Sequence, residues 1–370
     1  MRVMDMKILR LLFATAAVVL AFSPTAVRAC LCGLVSKPWC GMFKAIDPGR
    51  VIFLGQVVSK VEVQEPATFG NRPATVGRYA VHFIVTENFH SATGLGQEIV
   101  VNTGLGGGDC GYPFVVGTTY LVYASTSDSQ LTTDICSGTK PEVMVGGLLR
   151  ELRAIRDGAR VDDLFGTIGI GPTGAGYDDL AEAHPLPDVS VHIIWGAGTV
   201  FTVRTDEHGA YAFSSLPRGT YRITPDLPAG LSTWESKTGK PLAIDIDDKD
   251  GTGAGCQVDI FSRPDGQISG TVLDATGKGV PGFVTIQPAD PKEAEIARRH
   301  GGLPGCDTED GNFSLPQLPP GRYRLVFHPK VGERIDFRRV FYWPPGGRGA
   351  DHAIELAFGQ HIEKVRFEIP

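Results

Sequence analysis

The sequence predicts an all-β protein: a small closed five-stranded barrel with a C-terminal helix, then two tandem β-sandwiches. Three observations predict this fold class: strand-like runs bounded by turn residues, one stretch of helical periodicity, and an internal repeat. Of 370 residues, 47 are Gly and 26 are Pro, which is typical of a chain with many turns. The apolar fraction of 42% is enough to build ordinary cores and argues against wholesale disorder.

The first 29 residues have the pattern of a secretory signal peptide. Arg2, Lys7 and Arg10 precede an apolar run over 11–22, and small residues follow before Cys30. The run is shorter than the roughly 20 residues that a membrane-spanning helix needs. We therefore expect a secreted or otherwise extracytoplasmic protein, in the periplasm or outside the cell, without a transmembrane anchor.

The region 30–160 is expected to form the barrel and its helix. Five runs rich in β-branched or aromatic residues predict the strands: 51–57, 79–85, 99–101, 120–123 and a weaker one at 131–136. The period then changes, because four apolar residues recur at helical spacing: Val145, Leu148, Leu152 and Ile155. Gly158 suits the end of that helix.

The remainder of the chain carries a repeat that predicts two β-sandwiches, over 161–263 and 264–370. Residues 205–223 match residues 308–325, and from Gly209 onward the offset is a constant 102. Each copy has a tight-turn signal, alternating aromatic residues and a Leu-Pro-x-Gly turn. Each then has a tyrosine, Tyr221 or Tyr323, whose ring is expected to pack while its hydroxyl bonds to the backbone. A short helix is expected after Asp290.

Export decides how the seven cysteines are interpreted: Cys30, Cys32, Cys40, Cys110, Cys136, Cys256 and Cys306. In an oxidising compartment such residues are expected to form disulfides rather than metal sites. Seven is odd, so at least one thiol is free, modified or paired with another chain. If the signal peptide is removed, Cys30 becomes the first residue.

An ordered set of residues resembles a known family. Cys30-Leu31-Cys32, the strand at 51–57, the stretch from Asp109 to Val122 and the distal Ile135-Cys136 together resemble the netrin-like module of the tissue inhibitors of metalloproteinases, an OB-type barrel. The likeness spans about residues 30–157. Residues 165–370 resemble two carboxypeptidase regulatory-like domains, which implies immunoglobulin-like or transthyretin-like sandwiches and says little about function.

The resemblance implies a disulfide pairing. Cys30 would bond to Cys110, and Cys32 to Cys136. In the family a third bridge joins the third cysteine to a late one, but here Cys40 has no evident mate inside the barrel. Cys256 and Cys306 are left for the sandwiches, where a bond between them is one option that their spacing does not decide.

The resemblance also implies a mechanism. A zinc endopeptidase keeps one zinc position open for water. In the inhibitor family the α-amine and carbonyl oxygen of the first residue, here Cys30, chelate that zinc, and the next residue, here Leu31, enters the specificity pocket beside Cys32. Leu31 is bulkier than the small residue that the family places there, and the family's C-terminal subdomain is absent.

Two alternatives leave the amine without this role. The N-terminus can simply be pinned to the barrel, or Cys30 can carry a lipid, although Arg28 fits a lipobox poorly. Intact mass distinguishes a lipid adduct from the other two states. Because the sequence has no nucleophile, acid–base or resident-metal motif, we expect no enzyme activity and no cofactor.

The expected function is therefore that of a secreted, non-catalytic binding protein, and the alternative is an inhibitor of a zinc metalloendopeptidase. The partner is expected to be a protein. The sandwiches leave carbohydrate or cell-envelope contact open, for instance through the basic and aromatic run 338–343. The net charge of −6 without a long basic run argues against nucleic acid.

Overall fold

The fold was determined as a computed structural model. It describes residues 39–40, 49–69, 72–91, 94–106, 109–127, 130–171, 182–196, 198–233, 242–246, 255–290, 292, 305–343 and 353–370. The described chain is almost all β, with one α-helix, as the sequence predicts. The expected signal peptide and most of the short helix expected after Asp290 lie outside these residues.

Six strands form the first sheet: β2 Arg50–Phe69, β3 Arg72–His90, β4 Glu98–Gly104, β5 Thr119–Ser127, β6 Gln130–Thr132 and β7 Lys140–Pro141. Five of them close a ring in the order β2-β3-β4-β6-β5, because β5 pairs back onto β2, and β7 is added beside β5. The ring is antiparallel except for the β4–β6 pair. The predicted five-stranded barrel is confirmed.

An aromatic cluster fills the barrel. Phe53, Phe83, Phe114, Tyr112 and Tyr120 are all at most 2% exposed. Their ring centroids lie 4.6–5.8 Å apart, mostly edge to face. Such pairs add to the free energy of burying the rings, so they make the barrel interior well defined.

The helix α1, Gly146–Arg156, follows β7 and confirms the helical periodicity. It ends where Gly158 takes a φ of +76°, a conformation that glycine adopts without strain. Its apolar face includes the buried Leu148, Leu149 and Leu152.

Among the described residues after the helix, ten strands belong to the first sandwich: β8 Leu164–Ile170, β9 His184–Pro185, β10 Ser190–Trp195, β11 Thr199–Arg204, β12 Ala210–Phe213, β13 Gly219–Pro225, β14 Leu231–Ser232, β15 Leu242–Ile246, β16 Cys256–Gln257 and β17 Ile260–Pro264. An eleventh, β1, Trp39–Cys40, precedes the barrel in sequence and pairs with β16. One sheet runs β1-β16-β8-β17-β14, with β9 and β12 also paired to β8, and the other runs β11-β10-β13-β15.

The described part of the second sandwich has nine strands: β18 Gly266–Leu273, β19 Gly282–Pro288, β20 Gly305–Thr308, β21 Asn312–Leu318, β22 Gly321–Val331, β23 Arg334–Ile335, β24 Phe341–Trp343, β25 Ile354–Leu356 and β26 His361–Glu368. One sheet is β21-β18-β26, and the other is built on β19 and β22. Only Asp265 separates β17 from β18, so the two sandwiches follow one another directly.

The repeated turn has the same geometry in both sandwiches. The Tyr323 hydroxyl donates to the carbonyl oxygen of Pro319 at 2.9 Å, and the Tyr221 hydroxyl donates to the carbonyl oxygen of Pro217. These pairs are related by the 102-residue offset. Both rings are buried in their cores, as predicted.

We expect Tyr323→Phe to lower the free energy of unfolding of the second sandwich by about 1 kcal/mol, because one hydrogen bond to a carbonyl is lost while the ring stays. Urea titration followed by near-ultraviolet circular dichroism measures this. Tyr342→Phe changes an outer-face tyrosine and serves as the control. Equal losses in the two variants would contradict the assignment.

The barrel and the first sandwich share a hydrophobic core. Ile52 and Leu121 from the barrel, Leu149 from α1 and Phe165 from β8 belong to one buried cluster. The contact is close because glycines face each other: a Cβ on Gly147 would lie 2.3 Å from the carbonyl oxygen of Gly166. We call this shared core the joint.

A carboxylate clamps the helix to the barrel beside the joint. Glu87 on β3 accepts from Arg153 at 2.6 and 3.1 Å and from Arg156 at 2.8 Å. The hydrogen bond from Arg153 lowers the pKa of Glu87; burial opposes this, and Arg156 adds to the lowering. The ionised Glu87 and its two arginines therefore stabilise the fold at pH values above the ordinary pKa of Glu, about 4.3. This stabilisation is lost as the pH falls through the lowered pKa that Glu87 has in the folded protein.

Glu87→Gln is expected to cost about 1–2 kcal/mol at pH 7, because hydrogen bonds to a charged group are replaced by neutral ones. The difference from the parent protein should shrink on acidification below about pH 4. Unfolding titrations across this range measure it, with the exposed Glu98→Gln as control. A difference that stays constant with pH would be incompatible with the clamp.

Candidate functional site at the N-terminal anchor

The predicted contact residues Cys30, Leu31 and Cys32 lie outside the described residues. Their predicted bonding partners, Cys110 and Cys136, are described, and both are disulfide-bonded. We refer to the two loops that carry Cys110 and Cys136 as the anchor.

The Cys110 loop is fixed by one carboxylate. Asp109 accepts backbone N–H bonds from Leu105 at 2.6 Å, Gly106 at 2.8 Å and Gly111 at 3.1 Å. Burial alone would raise the pKa of Asp109, but these backbone N–H groups outweigh it and the pKa is lowered. Cys110 itself has a φ of +62°, an uncommon conformation that these bonds hold in place.

Glycine is required beside Cys110 for steric reasons. A Cβ on Gly111 would lie 2.1 Å from the carbonyl oxygen of Gly104. The run 106–111 formally matches a nucleotide-binding glycine pattern, but its described residues Gly106 and Gly111 both donate backbone N–H bonds to Asp109 within the run. Among the described residues no helix follows this run directly, as nucleotide binding would require; the next one is a short 3-10 turn at Glu142–Met144.

Hydrogen bonds between side-chain hydroxyl groups hold the Cys136 loop in place. Thr133 Oγ1 lies 2.8 Å from Ser137 Oγ and 3.0 Å from Thr139 Oγ1, and it donates to the carbonyl oxygen of Tyr123. The Cys136 N–H donates to Asp134 at 2.8 Å. This network ends β6 at Thr132, whereas the sequence predicts that this strand continues to residue 136.

The two anchor loops touch each other. The Ile135 N–H donates to the carbonyl oxygen of Cys110 at 3.0 Å. Two half-cystines on adjacent, well-fixed loops can hold two closely spaced cysteines of one segment.

A further disulfide ties the segment before the barrel to the first sandwich. Cys40 is bonded to Cys256, 216 residues later, and the two residues lie opposite each other in the β1–β16 pair. This resolves the open question of the Cys40 partner and excludes a Cys256–Cys306 bond. Sequence reasoning missed it, because a two-residue strand leaves no periodicity to detect.

Cys306 is a free thiol on β20. Burial raises its pKa, hydrogen bonding from the Ser314 backbone opposes this, and Asp307 adds to the rise. A thiol with a raised pKa is a weak nucleophile at neutral pH.

The aromatic run near residue 340 divides between two faces. Phe341 and Trp343 pack against the core of the second sandwich. Tyr342 points the other way, is 37% exposed, and has the Arg324 guanidinium 5.7 Å from its ring centroid. Phe341 and Trp343 therefore serve the core, whereas Arg338, Arg339 and Val340 are exposed.

Within the part of the chain that the structure describes, no group of three or more His, Cys, Asp or Glu side chains is placed to hold a metal ion. No helix in the described ranges is long and apolar enough to cross a membrane.

One family model matches the chain: the SdrD B-like domain, over residues 173–268. Among curated proteins, serine-aspartate repeat-containing protein C of Staphylococcus aureus, in strains Newman and USA300, is 28% identical over 145 residues. That alignment covers 35% of this chain and 14% of the relative. The family model covers most of the first sandwich and leaves the barrel and nearly all of the second sandwich outside it. The chain spans only about a seventh of the length of this curated relative.

Among solved structures, the Bacillus anthracis TIE protein aligns over 86% of this chain and 47% of its own, with 13% identity and a TM-score of 0.22. A shaft pilin SpaA from Lactobacillus rhamnosus GG aligns over 56% and 97%, with 13% identity and a TM-score of 0.19. A streptococcal ancillary pilin aligns over 83% and 80%, with 14% identity and a TM-score of 0.20. These scores are too low to carry a functional argument.

Proposed function

We propose that the protein is an exported, non-catalytic binding protein with three modules, 30–160, 161–263 and 264–370, whose partner-contacting part is the N-terminal segment. The observation that carries the proposal is the anchor. The disulfide-bonded Cys110 and Cys136 lie on two loops that are joined by the hydrogen bond from the Ile135 N–H to the Cys110 carbonyl oxygen, 3.0 Å long. This spacing suits disulfide bonds to two cysteines of one short segment, Cys30-Leu31-Cys32. A segment held in this way loses little conformational freedom on binding.

The match to the SdrD B-like domain supports a spacer or interaction role for the first sandwich rather than a catalytic one, and we extend that role to the second sandwich. Cell-surface or extracellular placement agrees with the disulfide bonding, since disulfides persist in oxidising compartments. On this proposal the protein partner is contacted by Leu31 and its neighbours, and carbohydrate or envelope contact belongs to the sandwiches.

The proposal is tested by binding of fluorescent mature protein to intact cells of the source organism. We expect saturable binding that falls at least about tenfold in Leu31→Asp, because a charge placed in an apolar contact costs well over 1 kcal/mol. Val200→Asp is the matched control, since Val200 is 54% exposed on β11 of the first sandwich, whereas the anchor belongs to the barrel. If Val200→Asp lowers binding and Leu31→Asp does not, the N-terminal segment is not the contact.

The anchor also favours a second function, inhibition of a zinc metalloendopeptidase. The Cys30 α-amine and carbonyl oxygen would bind the protease zinc in place of water. An α-amine pKa of about 8 leaves a neutral fraction at pH 7 that can ligate a metal.

This function is tested by assaying mature protein against a panel of zinc endopeptidases. Inhibition should disappear when one Ala is added ahead of Cys30, because the chelating amine is then displaced. Inhibition that survives the added residue would rule the mechanism out. A lipid adduct on Cys30, seen in the intact mass of the mature protein, would also rule it out.

A further inference from the structure

One arginine of the second sandwich is buried without an acceptor for its charge. Arg324 lies on β22 and is only 6% exposed. Its Nε and Nη2 atoms are both buried, and neither has a hydrogen-bond partner in the part of the chain that the structure describes. Burying a charged group without a partner is costly in free energy, so an arginine in this state needs an anion beside it.

The fold places Arg324 on the outer face of the larger sheet of this sandwich. Its chain neighbours Tyr323 and Leu325 belong to the core, and successive side chains of a strand point to opposite faces. Gln287 of β19 is the register partner of Arg324, and the guanidinium lies 5.7 Å from the ring centroid of Tyr342 on β24. Neither neighbour carries a negative charge that could balance the guanidinium.

The acidic residues described on the other strands of this sheet face different positions. Glu355 of β25 is the register partner of Arg322, and Asp307 of β20 is the register partner of Phe283. Within the described ranges, no ion pair joins either carboxylate to Arg324. These strands therefore supply no anion for the buried guanidinium.

The two unpaired atoms of Arg324 form one edge of its guanidinium. The N–H of Nε and one N–H of Nη2 point in the same direction on a planar group, which is the geometry that binds two oxygens of a carboxylate or a phosphate at once. A chloride ion offers one accepting centre, and a lysine ammonium has no such edge. The free donor pair thus favours an oxyanion over a halide.

We propose that Arg324 is the centre of an oxyanion-binding site on the outer face of the second sandwich, in which Nε and Nη2 each donate to one oxygen of a carboxylate or phosphate group. Because both donors are buried, the site takes a small anion or a single anionic group of a larger ligand. The inference does not depend on the N-terminal contact proposed above. It goes beyond that function by giving the second sandwich a ligand of its own.

The site is tested by differential scanning calorimetry of the full mature chain in a zwitterionic buffer. Acetate, phosphate or glucuronate is added, and chloride at the same ionic strength serves as the reference. We expect at least one oxyanion, at about ten times its Kd, to raise the second-sandwich transition by at least about 4 °C, because only the folded state binds it. Chloride should raise it by much less. The ranking of the three oxyanions distinguishes a simple carboxylate, a phosphate and an acidic sugar as the source of the bound group.

Three variants separate the site from a general effect of charge. Arg324→Met should abolish the oxyanion shift and, without added anion, should unfold no earlier than the parent protein, because an unpaired buried charge is gone. Arg324→Lys keeps the charge without the two-donor edge, so titration calorimetry should show oxyanion binding weakened at least about tenfold. Arg322→Met removes an exposed arginine of the same strand and should keep the shift.

Two results would overturn the proposal. One is a shift that is equal for chloride and for all three oxyanions in the parent protein, since this would be a general salt effect. The other is an oxyanion shift that persists in Arg324→Met or disappears equally in Arg322→Met, since the response would then not come from Arg324. The titration of the parent protein decides the first point even if Arg324→Met fails to fold.

Discussion

Phe165→Ala is expected to destabilise the barrel and the first sandwich together, by about 4 kcal/mol. Phe165 has no exposed surface and lies in the joint, in contact with elements of both modules. Removing a fully buried phenyl ring costs the transfer free energy of the ring and leaves a cavity. Since both modules share that cavity, their unfolding transitions should move to lower temperature as one.

The matched control is Phe367→Ala in the second sandwich. Phe367 is 1% exposed and belongs to a separate core cluster. This variant should lower only the second-sandwich transition in differential scanning calorimetry. If Phe165→Ala left the barrel transition where it was, the shared core would not couple the two modules.

Gly147→Ala has two opposing effects, and we expect the unfavourable one to be larger. Alanine at this helical position would gain about 1 kcal/mol from helix propensity. The new Cβ would lie 2.3 Å from the carbonyl oxygen of Gly166 and 2.5 Å from its carbon, and both are backbone atoms that cannot rotate away. Overpacking of this kind costs roughly 3 kcal/mol, so the net loss is about 2 kcal/mol.

Gly94→Ala provides the comparison, because an added Cβ there meets nothing within 4 Å. Its effect should stay within about 0.5 kcal/mol. Chemical unfolding of both variants measures the difference. A stabilised Gly147→Ala protein would show that α1 does not pack on β8 as closely as described.

Local pattern was enough to predict much of the fold. The strand at 51–57 was detected because β-branched and aromatic residues follow one another, and the helix because Val145, Leu148 and Leu152 recur at its period. The repeat went further: it predicted a hydroxyl-to-backbone bond for Tyr221 and Tyr323, and both bonds are present.

Local sequence pattern could not predict the joint. Leu148 and Leu149 have the apolar pattern of any core-facing helix, and the pattern does not say which module they face. Gly147 and Gly166 matter only because they meet each other, and that contact joins two elements through a shared core. The Cys40 partner was hidden for a related reason, since 216 residues separate the two cysteines.

The candidate site rests on a family resemblance and stays a prediction. Cys110 and Cys136 were named from their order in a family pattern, and both are disulfide-bonded. The bonds of Asp109 to three N–H groups depend on loop conformation, which residue type alone does not determine.

The shared core of the first two modules determines where the chain can be divided into fragments. A fragment ending after α1 would expose Leu148 and Leu149 to water and would strand Cys40 without its mate. The described core clusters of the two sandwiches are separate, so a cut at Asp265 divides no shared core, although it parts His361 Nε2 from the Asp265 carbonyl oxygen 2.8 Å away. Recombination that swaps the last module for another is therefore tolerable to this architecture, whereas an exchange between the first two must replace both at once.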